Sequence, residues 1–510
     1  MSLDLALSIA RSGLSHVNRQ LAQSASNVAN VANAATPGYT RKEVQGEAVV
    51  SGALSSGVRS AEATRAVDAA LVAQMNAARA TTDAATARAT LLKGVEVAHG
   101  ATGESVADLT AAIGDAFTAL RGDPSDTLLQ SQVVSAAEDL AERYGTVSSA
   151  IQEARQGAQD AMVRDVDTLN EALRKVSDLT KQIIPLRAQG QSTAELEDQR
   201  DAAIATLSSV MQVKAVAQAN GGVALITAGG LNLPLYSENG PFTVANATLG
   251  PEAYYGSGGS LPGVMLGTTD VTSRLGNGTL AAYASLRDTE LPLAQAELDV
   301  SAANLAARFD AQGLTLFTGN AGSVPDPSGA YATGGWIGFA GALRVNPAVT
   351  ADPGLVRDGT RAVAAGAGGA TAFTPNPNSG PADFTTLIDR VLNNSLGTQV
   401  SAGIAQPAFA STGLGPGGNL TSSLRSNRSL SDHAASLVAT QTSARAGAEG
   451  DAKASGDLLA SLESRFSDRS GVDMDKELSA MIALQTAYSA NARLISTVQT
   501  MYDTLFQAVR

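Results

Sequence analysis

The stretch LDLALSIARSGLSHVNRQLAQSASNVANV, residues 3–31, places Leu3, Leu7, Ala10, Leu14, Val17, Leu21, Ser24, Val28 and Val31 at alternating steps of four and three. That spacing predicts a helix with a heptad seam along one side. The opposite side is mostly Ser, Asn, Gln and Arg. As a helix the segment is roughly 50 Å long at ~1.5 Å per residue, and Pro37 and Gly38 stop it. A lone helix with one apolar stripe is marginal in water, because nucleation is costly and nothing covers the stripe. Each seam residue gains about 1.5–3 kcal/mol on burial, so the seam demands a partner.

The far end of the chain repeats the design. Leu484, Tyr488, Asn491, Ile495, Val498, Tyr502, Leu505 and Val509 again alternate four and three. Gly471 and the acids Asp473, Asp475 and Glu477 mark the start of this second helix, where the macrodipole favours negative charge. The two ends could pair with each other inside one molecule. Alanine and leucine flanks widen both stripes beyond what one pair covers, which favours packing against neighbouring copies. On that reading the seams of an isolated monomer lack partners, and the terminal helices stay largely disordered.

Between the ends the pattern alternates. Helices are expected over 61–99, over 126–184 as one very long element ending near Pro185, and over 194–210. Residues 211–236 carry short apolar runs separated by Asn220-Gly221-Gly222 and Gly229-Gly230, which is hairpin chemistry. Residues 240–278 read as β-like or loop, 279–311 as helix, and 318–381 as a Gly/Pro-rich stretch with the strand candidate GWIGFAGALRV at 335–345. A short helix over 384–396, a linker over 398–419 and a helix over 420–466 complete the series. The fold class is mainly α with a β-rich insert, an α+β multidomain chain. It divides into a discontinuous terminal coiled-coil domain (1–58 with 470–510), a helical bundle (59–210 with 279–315 and 385–469) and a β-rich, Gly-rich outer region (211–278 with 316–384).

Composition narrows the chemistry. The 510 residues include no cysteine, one tryptophan and only 4% aromatics, with a formal net charge of −13. Disulfides, thiolate metal sites and cysteine nucleophiles are excluded. The acidity and scattered bases argue against nucleic acid as partner. No apolar run is long enough to span a bilayer, so membrane insertion is not expected. The N-terminus lacks the basic region and cleavage site of a secretory signal, so export would proceed without a cleaved leader.

Candidate catalytic groups are sparse. His16, His99 and His433 stand alone, each expected in a surface or cap role rather than on a metal. Ser431-Asp432-His433 holds triad residue types, but a triad is a spatial arrangement; Ser431 or Asp432 reads better as a helix cap. The acid pairs Glu195/Glu197 and Asp473/Asp475 read as solvated helix starts. Glycine-rich 366–369 and 413–418 lack the Lys-Ser/Thr of a phosphate loop and read as flexible linker. No catalytic residue, cofactor or metal is expected.

Three stretches carry a family resemblance. NVANVANAATPGYTRKE, residues 27–43, resembles the N-terminal signature of bacterial flagellar axial proteins, the rod, hook and hook-associated family, with Asn30, Asn33, Thr36, Pro37, Gly38 and Tyr39 at the matching positions. Ala35 stands where the family usually has asparagine, and the repeated NVANVAN allows a three-residue register shift. GVDMDKELSAMIALQTAYSANARLISTVQTMYDTLF, residues 471–506, is similar to the family's C-terminal signature, with Gln485 and Asn491 in place. AELEDQRDAAIATLSSVMQVKAVAQANGGVALIT, residues 194–227, resembles an internal signature of the family's hook–filament junction branch through Leu196, Asp198, Gln199, Arg200 and Asp201.

The resemblance implies a structural, non-enzymatic component that assembles as a short ring-like zone at the distal end of the hook and joins it to the filament, outside the cell. Implied partners are copies of itself, the hook protein, the second junction protein, the type III export apparatus and an export chaperone. Subunit packing would use Leu3, Leu7, Leu14, Val17, Leu21, Val28, Val31, Leu484, Tyr488, Ile495, Val498, Tyr502 and Leu505. The chaperone would grip the C-terminal helix at Leu478, Ile482, Ile495 and Leu505. A hook subunit, or a secreted enzyme or adhesin with axial-protein ends, are the alternatives.

Overall fold

The computed structural model describes residues 3–32, 40–51, 54–235, 240–326, 329–366 and 369–508. The chain opens with α1 (Leu3–Ala32) and a long hairpin, β1 (Lys42–Ser51) and β2 (Leu54–Arg65), paired from Lys42↔Arg65 to Ser51↔Leu54. Then come α2 (Ala69–Ala98), α3 (Val106–Gly122), α4 (Thr127–Ala188) and α5 (Ala194–Val210), followed by the hairpin β3 (Val213–Ala217) and β4 (Val223–Thr227). The short strands β5 (Phe242–Thr243), β6 (Met265–Leu266) and β7 (Thr269–Asp270) form one sheet. Helix α6 (Thr279–Ser285) runs through a π-helical turn, Leu286–Glu290, into α7 (Leu291–Ala311). After β8 (Phe317–Thr318) come α8 (Phe339–Ala342), β9 (Arg344–Val345), α9 (Pro347–Ala351), α10 (Leu355–Asp358) and α11 (Thr386–Arg390). Four small strands follow, β10 (Gln399–Ser401), β11 (Ile404–Ala405), β12 (Thr412–Leu414) and β13 (Leu420–Thr421), and then α12 (Leu430–Ser470) and α13 (Met474–Ala508). Mainly α with β inserts describes the molecule.

Local chemistry sets the main boundaries. Asp126 caps α4 by accepting the Leu128 and Leu129 N–H groups at 2.7 and 3.4 Å, and a Ser105/Asp108 capping box starts α3. Helix α4 has 62 residues and carries Pro185 in its last turn, ending at Ala188, slightly beyond the expected stop. Its N-terminal half shares one core with α3, α7 and Trp336, and its C-terminal half shares a second with α5, β3, β4 and Phe242. A third, small cluster joins α2 and α12 through Leu71, Ala78 and Leu462.

The structure corrects several expectations. Residues 61–65 are strand, not helix; α2 starts only at Ala69, capped by Asp68. Of the strand candidate 335–345 only Arg344–Val345 is strand, as β9; the residues before it turn into α8, because the carboxylate of Asp299 takes the Gly338 and Ala340 N–H groups at 2.9 Å and bends the chain. The linker expected over 398–419, with the glycine-rich 413–418, folds as hairpins β10–β11 and β12–β13 and buries Phe409 and Leu414. Consequently α12 begins at Leu430 rather than Leu420, and its cap is Ser429, which accepts the Asp432 N–H, not Ser431 or Asp432. The two Gly-rich inserts belong to different cores, and their strands are two to five residues long.

Two histidines are interior rather than superficial. His99 is the C-cap of α2 and also buried, its Nε2 2.8 Å from Gln441 Oε1. His433 is buried and stacks on Phe409, with ring centroids 3.7 Å apart.

Candidate assembly surface and its anchor

Helices α1 and α13 lie side by side and antiparallel. Near one end, Ser24 Oγ donates to Glu477 Oε2 and Asn27 Nδ2 donates to Glu477 Oε1 at 3.3 Å. Further along, a Cβ placed on Gly13 would sit 3.5 Å from Asn491 Oδ1. The opposite side of α1 rests on the β1–β2 hairpin. Val58 N–H donates to Ser12 Oγ at 3.2 Å, His16 Nδ1 pairs with Ser60 Oγ at 2.9 Å, and Gln20 Nε2 donates to Val44 O at 3.1 Å. Gly57, at φ +138°, permits this approach, since a Cβ there would lie 2.4 Å from Ser12 Oγ. The α1 seam therefore has partners within the monomer, contrary to the expectation that it has none. These four elements form a terminal arm.

The seam residues are unevenly covered. Val17 and Ala10 are buried, as are the polar Ser24 and Asn27, while Leu7, Leu14, Leu21 and Val28 are half-buried. Leu3, Asn30 and Val31 belong to α1, but their side chains lie outside the described residues, as do Asn33, Thr36, Pro37, Gly38 and Tyr39 entirely. On α13, Leu484, Asn491, Ile495, Val498 and Tyr502 are half-buried, and Gln485 is exposed. No described side chain of α13 is buried. Met474, Leu478, Ile482, Tyr488, Leu494, Met501, Leu505 and Phe506 are all exposed, Phe506 by 69%. At 100° per residue, Leu478 and Ile482 fall on one flank of the α1-facing stripe, and Leu494, Met501 and Leu505 fall on the other. One partner helix leaves both flanks uncovered, an apolar display unusual for a finished monomer surface.

The arm joins the rest of the molecule, the body, at α5. Asp198, 6% exposed at its side chain, accepts Thr40 Oγ1 at 2.7 Å and Arg65 Nη1 at 3.0 Å on Oδ1, and faces Lys42 Nζ at 3.2 Å with Oδ2. Arg65 also reaches Asp201 at 2.7 Å and Glu197 at 3.0 Å, and Lys42 reaches Glu195 at 2.5 Å. Burial opposes the Arg65 charge, but Asp201 and Asp198 hold its pKa above the ordinary value. Burial pushes the Asp201 carboxyl up, opposed by Arg65. Glu195 and Glu197 do stand in the first turn of α5, Glu195 exposed, and both also join the ion-pair cluster. Asp473 does serve as a helix start, accepting the Asp475 and Lys476 N–H groups at 3.1 and 3.2 Å.

The other motif positions on α5 have separate tasks. Arg200 is buried and donates to Gly221 O at 2.7 Å, fixing the turn of β3–β4 against the helix; burial lowers its pKa. Leu196 is half-buried, and Gln199 is exposed. Sequence reading singled out these positions but not their partners Thr40, Lys42 and Arg65, which lie more than 130 residues away. Thr40 and Lys42 lie in the signature at 27–43, which marks the stretch but not its contact with α5, and no motif marks Arg65.

Among the described residues no group of three or more His, Asp or Glu is placed to hold a metal ion. No helix of the described residues is long and apolar enough to cross a membrane.

Comparisons with known proteins bear on both regions. Residues 92–324 match the helical domain of the flagellar hook-associated protein FlgK, and residues 463–508 match the C-terminal domain of the flagellar basal body rod FlgEFG proteins. A solved structure, the flagellar hook junction protein FlgK from Burkholderia pseudomallei, is 22% identical, with a TM-score of 0.37, over 50% of this chain and 45% of that one. The chain thus spans less than half the length of that relative. No curated protein matches it.

Proposed function

Because the chain belongs to the FlgK family of flagellar hook-associated proteins, we propose that it is a structural subunit of the hook–filament junction and not an enzyme. The observation that carries this reading is the state of α13: its α1-facing stripe is only half-buried, it leaves two apolar flanks uncovered, and it lies within the stretch that matches the rod-protein C-terminal domain. Covering those flanks with terminal helices of adjacent subunits gains about 1.5–3 kcal/mol for each side chain fully buried. Repeated around an axis, such contacts build a ring-like zone.

On this reading the arm faces neighbouring copies, the hook protein below and the second junction protein above, while the body packs laterally. The arm of this reading runs past residue 58 to Arg65, where β2 ends. Before assembly, an export chaperone would cover Leu478, Ile482 and Leu505, which are exposed, and half-buried Ile495. Passage through the type III exporter unfolded suits a chain without cysteine. The subunit would then work outside the cell.

The test is genetic. A strain lacking this chain should build hooks, carry no filaments and shed filament subunits into the medium, and the wild-type chain should restore filaments. Normal filaments in its absence would overturn the proposal.

A further inference from the structure

Among the described residues no buried apolar cluster crosses the joint between arm and body. None of the three buried apolar clusters includes a described residue of α1, β1, β2 or α13. Two chain crossings, at 66–68 and 471–473, connect the parts covalently. Side-chain contact across the joint is concentrated in the polar cluster on α5, and among the described residues the partners of the Asp198 carboxylate are arm residues: Thr40, Lys42 and Arg65.

The cluster is also wired to the helix pair. Lys42, which faces Asp198 through Nζ, presents its backbone O to Asn27 Nδ2 at 3.0 Å, and Asn27 donates in turn to Glu477 of α13. Fixed links therefore run from α5 through the hairpin base to α1 and α13. Joints made of polar contacts, without a shared apolar core, default to relative motion unless a specific contact holds them. A directional ion-pair cluster supplies orientation rather than net stability, because its Coulombic gain is largely offset by desolvation.

We propose that Asp198 and the neighbouring acids of α5 are a clamp that fixes the angle at which the terminal arm leaves the body, so that the arm swings about residues 66–68 and 471–473 when the clamp opens. Asp198 is a positioning residue: it lies outside the exposed flanks of α13 and acts on them through Lys42, Asn27 and Glu477. The inference concerns the single molecule and stands whether or not the junction role does.

The absence of cysteine makes the test direct. Ser15→Cys on α1 and Ser149→Cys on α4, both exposed, carry spin labels in the full chain, and pulsed dipolar spectroscopy reads the distance between them. The clamp predicts a single narrow distance in this background. Adding Asp198→Asn should abolish the narrow distance and give a broad distribution, with far-ultraviolet helicity and melting of the body unchanged. Arg65→Gln should do the same, and it provides the reading if Asp198→Asn fails to fold. An unchanged narrow distance in a folded variant, or a distribution already broad in the parent, would overturn the proposal.

Discussion

Leu494 and Ile495 are adjacent in sequence and opposite in consequence. Ile495 lies one turn beyond Asn491 on the side of α13 facing α1 and is half-buried; Leu494 is 56% exposed on the flank. Full burial of such a side chain is worth ~1.5–3 kcal/mol, so half-burial gives about 1 kcal/mol. Placing a carboxylate in the α1–α13 contact adds desolvation, and Ile495→Asp should weaken the pair by about 2 kcal/mol, a ~30-fold shift toward separated helices. Leu494→Asp should change the monomer by no more than ~0.5 kcal/mol, as exposed substitutions generally do. Hydrogen exchange of residues 474–508 in the monomer reads the difference: about 30-fold faster for Ile495→Asp and nearly unchanged for Leu494→Asp. Expression of each variant in a strain lacking the chain then reads assembly. Both variants should fail to enter junctions, Ile495→Asp because its arm is loose and Leu494→Asp because its flank is spoiled. Normal junctions built by Leu494→Asp would refute the flank argument, and equal exchange rates in the two variants would refute the pairing.

Further outcomes follow from the body. Burial, with Arg308 and Arg428 nearby, pushes the His433 pKa down to about 4; against ~6.5 in the unfolded chain, its contribution is complete above pH ~6.5 and falls by about 3 kcal/mol as the pH drops toward 4. Denaturant unfolding between pH 4.5 and 7 should show that slope in the parent and not in His433→Phe. Asp299 accepts Tyr331 Oη at 2.7 Å, Gly338 and Ala340 N–H at 2.9 Å and Gln295 Nε2 at 2.9 Å. Asp299→Asn turns one acceptor into a donor facing donors, and a loss of about 3 kcal/mol is expected in the same measurement. Gly278 has φ +124°, and a Cβ there would lie 2.5 Å from Val210 O; Gly278→Ala should lower the melting temperature and cost about 2 kcal/mol or more.

How much of this was readable before the structure depended on where each signal lay along the chain. Helix α5 was legible to its ends, because Gly190 and a hairpin turn punctuate an apolar period of its own. The run from α6 to α7 was legible for the same reason. The β1–β2 hairpin was not. Its inward residues, Val58, Ala61 and Ala63, are small, and their alternation merges into the alanine-rich period of α2. Residues 335–345 read as a strand by composition, yet what bends them is Asp299 on α7, a tertiary contact invisible to local pattern. The assembly face shows the same division. The seams of α1 and α13 stood out by period alone, and the flanks that remain open do so because the α1–α13 pairing takes only one stripe. Asp198 was marked by its motif, but its task depends on Thr40, Lys42 and Arg65, which only the fold brings to it.

The central claim is that this chain builds the zone between hook and filament. Its most direct test is the position of a copy tagged at an exposed loop of the body, imaged by gold labelling on detached hook–filament structures. The account predicts label confined to one thin band where hook meets filament. Label along the hook, along the filament, or absent from both would contradict it.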